Sequence, residues 1–223
     1  MAAGSTALPH SSWLRPKYLL FAAIALMMAY VLIHFEYFLV QPEAPVWQHY
    51  RPFKWLLFPH ALAGACALFL GPLQFSDRLR QRFTKLHRVT GRIYVAGALI
   101  AAPLGAYIQY FEERMGTTRS LTVATAVLGA LWFTTTAIAF LFILKHKVQQ
   151  HRQWMTRSYA VALCFLENRV ILGLTGWENS AEIGEIVVWT TLGLSVLVAD
   201  MILELQSARR TKLPTQRAAP AQR

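Results

Sequence analysis

The sequence predicts an all-α integral membrane protein, a bundle of six transmembrane helices with both termini in the cytoplasm. Three observations carry this. Of 223 residues, 55% are hydrophobic and only 15% charged, a balance that suits an apolar soluble domain or a polytopic membrane protein. The apolar residues gather into six runs, each long enough to cross a hydrocarbon core that takes about 20 residues of helix. The charges lie between the runs and change sign from one loop to the next.

We place the runs at Tyr18 to Val40, Trp55 to Phe75, Val89 to Tyr110, Leu121 to Leu144, Ser158 to Leu174 and Ile183 to Leu205. No room is left for a soluble domain. Residues 1–17 read as a flexible N-terminal tail, 18–205 as the membrane domain and 206–223 as a basic C-terminal tail. Basic residues crowd the second loop (Arg78, Arg80, Arg82, Lys85, Arg88), the fourth loop (Lys145, Lys147, Arg152) and the tail (Arg209, Arg210, Lys212, Arg217, Arg223). The opposite loops carry Glu43, Glu112, Glu113, Glu178, Glu182 and Glu185. Lys and Arg mark the cytoplasmic side, so both termini are expected there. The net charge of +11 then answers to anionic phospholipid rather than to nucleic acid.

Cys66 and Cys164 both fall inside spans, which suggests neither a disulfide framework nor a zinc site. Arg15 and Lys17 precede the first run as they would in a signal peptide, but the run is too long and lacks a small-residue cleavage site. The first span carries His34 and Glu36 near its outer end, where a polar group reaches the interface cheaply. The outer loop after it, with Pro42, Pro45, Trp47, His49, Tyr50, Arg51 and Pro52, reads as an interfacial cap. In the second span Pro59 suits a first helical turn. His60, Gly64, Ala67 and Gly71 then recur at helical spacing, a small-residue stripe that a helix or a flat ligand could approach. Gly71-Pro72 weakens the helix end.

The third span has a similar stripe on one face: His87, Gly91, Tyr94, Ala98, Ala101 and Gly105. The fourth is apolar apart from Thr134-Thr135-Thr136, whose hydroxyls can bond their own helix. On the fifth, His151, Ser158, Ala162 and Arg169 share a face, with Arg169 about 27 Å from His151 along the axis. Arg169, beside Glu167 and Asn168, needs a partner at its depth, and Glu36 or Glu182 are the candidates. The sixth span ends with Asp200 and Glu204, within reach of Arg88, Arg92, Arg152 or Arg157.

Two motifs stand at the polar entrances of spans. One runs His87-Arg88 to Arg92-Ile93-Tyr94, the other His151-Arg152 to Arg157-Ser158-Tyr159, with the histidines 64 residues apart. Each follows a helical hairpin, so the pair could record a duplicated hairpin of parallel topology. A one-residue offset between His and Tyr separates the two copies.

Depth sorts the histidines into an outer pair, His34 and His60, and an inner pair, His87 and His151, about 20 Å apart. Two axial histidines from neighbouring helices, small residues to admit a porphyrin and arginines for its propionates are what a b-type haem in a helical bundle requires. His87 and His151 have Arg88, Arg92, Arg152 and Arg157 nearby, with Trp154, Tyr94 and Tyr159 to pack on ring edges. A second haem between His34 and His60 would complete a path across the bilayer to a redox partner or quinone. The rival reading is a lipid- or anionic-solute-binding or transport protein that uses His60, Glu36, Glu167, Asn168 and Arg169 as an outer polar cluster. A stabilising subunit of a larger membrane complex is a third. His10, His49 and His146 read as surface residues. No Gly-x-Ser-x-Gly, phosphate-cradling loop or His-Glu-x-x-His occurs, so hydrolase chemistry has no support and enzymatic activity is left open.

The segments Pro59-His60-Ala61-Leu62-Ala63-Gly64, Leu70-Gly71-Pro72-Leu73-Gln74-Phe75, Leu86 to Val95 and His151 to Ala160 resemble the signatures of a family of predicted bacterial membrane proteins, domain of unknown function 2306. The resemblance covers about Phe58 to Leu174 and includes Arg169. It implies a polytopic inner-membrane protein in which His60, His87, His151 and Arg169 belong to the family pattern and His34 does not. It supplies no substrate.

Overall fold

The computed structural model describes residues 16–41 and 43–212, all of them in helices and connecting turns. Among the described residues, five helical stretches are long and apolar enough to cross a membrane: residues 46–74, 84–114, 119–144, 148–175 and 181–208. They comprise α3 (Lys54–Gln74) with the short α2 (Val46–Tyr50) leading into it, α5 (Thr84–Arg114), α6 (Arg119–Leu144), α7 (Val148–Thr175) and α8 (Ala181–Lys212). The short, polar α4 (Asp77–Arg82) fills the turn between α3 and α5, capped by Ser76. His10 and Arg15, with the tail basic residues Arg217 and Arg223, lie outside the described residues.

The first expected span is corrected. Instead of running to Val40, α1 (Pro16–His34) stops at His34, and its apolar part, Tyr18–His34, is shorter than the other five. The cause is the aromatic cap that follows. Residues Tyr37–Val40 form a 3-10 turn, and the Trp47 indole N–H donates to the Phe38 and Gln41 carbonyls at 3.1 and 3.0 Å. Phe38 packs on Trp47 and Tyr50 with ring centroids 5.0 and 5.2 Å apart. Those contacts draw Phe38 away from the path a continued helix would take.

The His-Arg motifs stand at the entrances of their helices, as expected. The helices α5 and α7 begin a few residues upstream of the expected apolar spans, at Thr84 and Val148. His87 and His151 therefore sit within the first helical turn of each.

Consecutive long helices pack as antiparallel hairpins, α3 on α5, α5 on α6, α6 on α7 and α7 on α8, and α3 also touches α7. The last contact closes a four-helix ring, α3-α5-α6-α7. In it α5 and α7 face each other across one diagonal. α8 lies outside against α6 and α7, and α1 lies against α7.

Small residues let the backbones close in, as expected where lipid removes most of the hydrophobic drive between helices. Gly97 of α5 lies so near α3 that a Cβ there would stand 2.5 Å from the Ala63 carbonyl oxygen. Gly71 of α3 faces the Tyr159 ring so closely that a Cβ would collide with it. The small-residue stripes are thus consumed by helix packing: Ala98 and Ala101 are fully buried, and Gly105 meets the His60 imidazole. At Gly71, Gly97 and Gly105 they leave no slot for a flat ligand.

Candidate functional site

The centre of the ring fixes the register of the diagonal. Tyr94 on α5 is fully buried, and its hydroxyl lies 2.8 Å from Ser158 Oγ on α7. Ser158 Oγ also lies 2.7 Å from Thr136 Oγ1 on α6, which in turn donates to the Trp132 carbonyl. Three helices are joined through one hydroxyl. Tyr159 closes the rest of the diagonal, packed on Phe75 and Tyr94 at 5.6 and 6.3 Å, its hydroxyl donating to the Leu68 carbonyl at 3.3 Å.

That register places the inner histidines. Tyr94 and Ser158 are 64 residues apart, as are His87 and His151, and each histidine lies seven residues before its counterpart in the triad. Seven residues are nearly two turns, so both histidines lie below the triad on the faces that already meet. The two imidazoles are near enough to act on one another electrostatically, with Arg80 and Arg88 also acting on His87.

His151 is held in one orientation. Its Nδ1 lies 2.8 Å from the Ala139 carbonyl oxygen of α6; a carbonyl only accepts, so Nδ1 carries the proton and Nε2 keeps its lone pair. His87 Nδ1, by contrast, is buried without a partner. Buried polar atoms are rarely left so. The pair therefore offers one oriented nitrogen donor and one imidazole with an unsatisfied nitrogen.

Of the arginines expected around this pair, Arg88, Arg92 and Arg152 are exposed. Arg157 is committed elsewhere: its Nε donates to Asp200 Oδ1 at 2.8 Å, and its guanidinium lies 5.2 Å from the Trp154 ring centroid. This is one of the pairings expected for Asp200. Arg80, on α4, pairs with Asp77. Tyr94 and Tyr159 form the floor of the inner site, set two turns into the bundle.

The outer residues do not assemble as expected. His60 Nδ1 donates to the Ala101 carbonyl at 2.9 Å, which fixes it between α3 and α5. His34 Nε2 pairs instead with Glu178 Oε1 at 3.0 Å, beyond the end of α7. The two outer histidines are thus each engaged by a different partner, His60 by the Ala101 carbonyl and His34 by Glu178.

Glu167, Asn168 and Arg169 point three ways. Ser195 Oγ of α8 donates to Glu167 Oε2 at 3.1 Å, and Thr191 Oγ1 donates to Asn168 Oδ1 at 3.1 Å. The Arg169 guanidinium lies 5.2 Å from the centroid of Phe35 and acts on both Tyr50 and His60, while Glu36 acts on Tyr50. Among the described residues Arg169 forms no ion pair, so neither Glu36 nor Glu182 is the partner expected for it. His146 is exposed in the α6–α7 turn. His49 is also exposed, and bonds Glu112 at 2.9 Å. No three His, Cys, Asp or Glu side chains gather into a metal-holding group among the described residues.

A family model for a predicted membrane protein, domain of unknown function 2306, matches residues 57–203. The chain belongs to this family. The matched region runs from the first turn of α3 to Leu203 of α8, so the family unit contains the whole four-helix ring and His60, His87 and His151. It leaves α1, with His34, and Glu36 outside. No curated protein and no solved structure matches the chain.

Proposed function

We propose that the protein is a multi-pass inner-membrane b-type haem protein with one haem, held between His87 and His151 at the cytoplasmic end of the ring. What supports this is the position of the two histidines, each seven residues before a partner in the Tyr94–Ser158 contact between α5 and α7, with the His151 Nδ1 proton already engaged by a carbonyl. Metal-bound imidazoles commonly have that outer hydrogen bond, which fixes the ring and raises the basicity of the other nitrogen. His87 Nδ1, buried and unpartnered, is the second feature that suits a missing group. Diagonal helices of a bundle are also where side chains from facing elements can hold a cofactor.

The chain's own residues would do the following. His87 and His151 would hold the haem iron through their imidazole nitrogens. The exposed Arg88 and Arg92 would meet the propionates at the rim, while Arg157 is held by Asp200. Tyr94, Ser158 and Thr136 seal the floor, since their hydroxyls satisfy one another. A bound haem would supply a one-electron centre, exchanging electrons with a partner or quinone at the cytoplasmic face.

Orientation belongs to the same proposal. The 19 residues of α1 rise about 28 Å, close to the hydrocarbon thickness, and α1 lies parallel to α7, with Tyr30 and Phe35 against Gly173. Counted as a crossing, α1 makes six passes and puts both termini on the side of the arginine-rich turns.

The exposed Arg88 and Arg92 favour a second reading, in which the same rim binds anionic phospholipid and the histidines only pack. Absorption spectra of the purified chain separate the two. With haem supplied during expression, the wild type is expected to show a Soret band and, after dithionite, a reduced α-band. His87→Ala and His151→Ala should each lose or shift these bands, and His146→Ala should retain them. A colourless wild-type protein under those conditions excludes the haem.

A further inference from the structure

We propose that Glu167 is a proton-binding site inside the membrane, a carboxyl that carries its proton at neutral pH in the α7–α8 seam. This goes beyond the haem reading and does not depend on it.

Position is the first ground. Along α7, Glu167 is about 15 Å outward of Arg157, which marks the inner boundary through its pair with Asp200, and about 12 Å short of the helix end at Thr175. It is therefore near the middle of the span. Its partner Ser195 is likewise in the apolar body of α8.

The surroundings are the second. What faces the carboxyl is the Ser195 hydroxyl at 3.1 Å from α8 and, within α7, the buried Cys164. One residue along, Asn168 is taken up by Thr191. No Lys, Arg or His forms an ion pair with Glu167 among the described residues; Arg169, two residues on, is turned to Phe35. An unpaired carboxylate at such a depth costs several kcal/mol, and the cheaper state is the neutral acid. Glu167 is only partly buried, so part of the group borders lipid and can be reached by a lipid-soluble reagent.

N,N′-dicyclohexylcarbodiimide tests that chemistry. The acid proton passes to a carbodiimide nitrogen and the carboxyl oxygen bonds to the central carbon; the resulting O-acylisourea rearranges to a stable N-acylurea. No other reactant is consumed.

The experiment uses the full chain in detergent at neutral pH. Infrared spectra of wild type and Glu167→Gln are compared in the protonated-carboxyl region, and carbodiimide adducts are located by peptide mass spectrometry. The expected result is a carboxylic-acid band and an adduct at Glu167 in the wild type, both lost in Glu167→Gln, which keeps an acceptor for Ser195. In Ser195→Ala the band should persist and move to higher frequency as its hydrogen bond is lost. If wild type and Glu167→Gln give the same spectrum in that region and no adduct forms at Glu167, the carboxyl is ionised and the proposal is overturned.

Discussion

At the scale of single residues, Ser158 ties three helices of the ring together, because its hydroxyl serves both Tyr94 and Thr136. Ser158→Ala leaves the buried Tyr94 hydroxyl without its partner, and the expected cost is about 1–2 kcal/mol, read as a lower melting temperature in detergent by circular dichroism. Gly97→Ala should cost about 1–3 kcal/mol through overpacking, since the new methyl meets backbone that cannot turn aside. Gly193→Ala is the control: nothing lies within 4 Å of a Cβ there, and helix propensity makes it neutral or slightly stabilising. Equal melting temperatures for the two alanine variants would show that the α3–α5 contact is looser than described. The Tyr94–Ser158 bond was partly legible in the sequence. Aligning the two His-Arg motifs on their tyrosines introduces a one-residue offset and hides it; aligning on the histidines pairs Tyr94 with Ser158. The His151 to Ala139 contact was not legible, because a backbone carbonyl has no residue-type signature.

At the scale of elements, α7 and α8 are tied at the inner end by Arg157 and Asp200, whose side chains are 29% and 49% exposed. Exposed pairs contribute about 0.2–1 kcal/mol, so Asp200→Asn is expected to lower stability by less than Ser158→Ala does. A double-mutant cycle with Arg157→Gln measures the coupling. If the single and double variants add without interaction, the pair only sets the depth of α8. The five longer apolar helices were legible because length and composition suffice for a span. The end of α1 was not, since Phe38 is as apolar as the helix before it and leaves the helix only because Trp47 and Tyr50 offer packing from a later segment. The starts of α5 and α7 were less legible than the spans: polarity shows where the apolar run stops, while the helical backbone extends back to Thr84 and Val148.

At the scale of the whole molecule, the positive-inside distribution gives a topology that reporter fusions check. Green fluorescent protein fused after residue 212 should fluoresce, and alkaline phosphatase inserted in the turn at Gly116 should be active. The reverse pattern would put the histidine pair on the outer side. His87 and His151 carry the same 64-residue spacing as the hydrogen-bonded Tyr94 and Ser158, and that spacing is readable in the sequence. Haem binding is tested most directly by the haem content of the purified, haem-supplied chain, measured as the pyridine haemochrome against protein concentration. One haem per chain is expected, lost in both His87→Ala and His151→Ala. A ratio of zero, or of two with either histidine replaced at no cost, would contradict it.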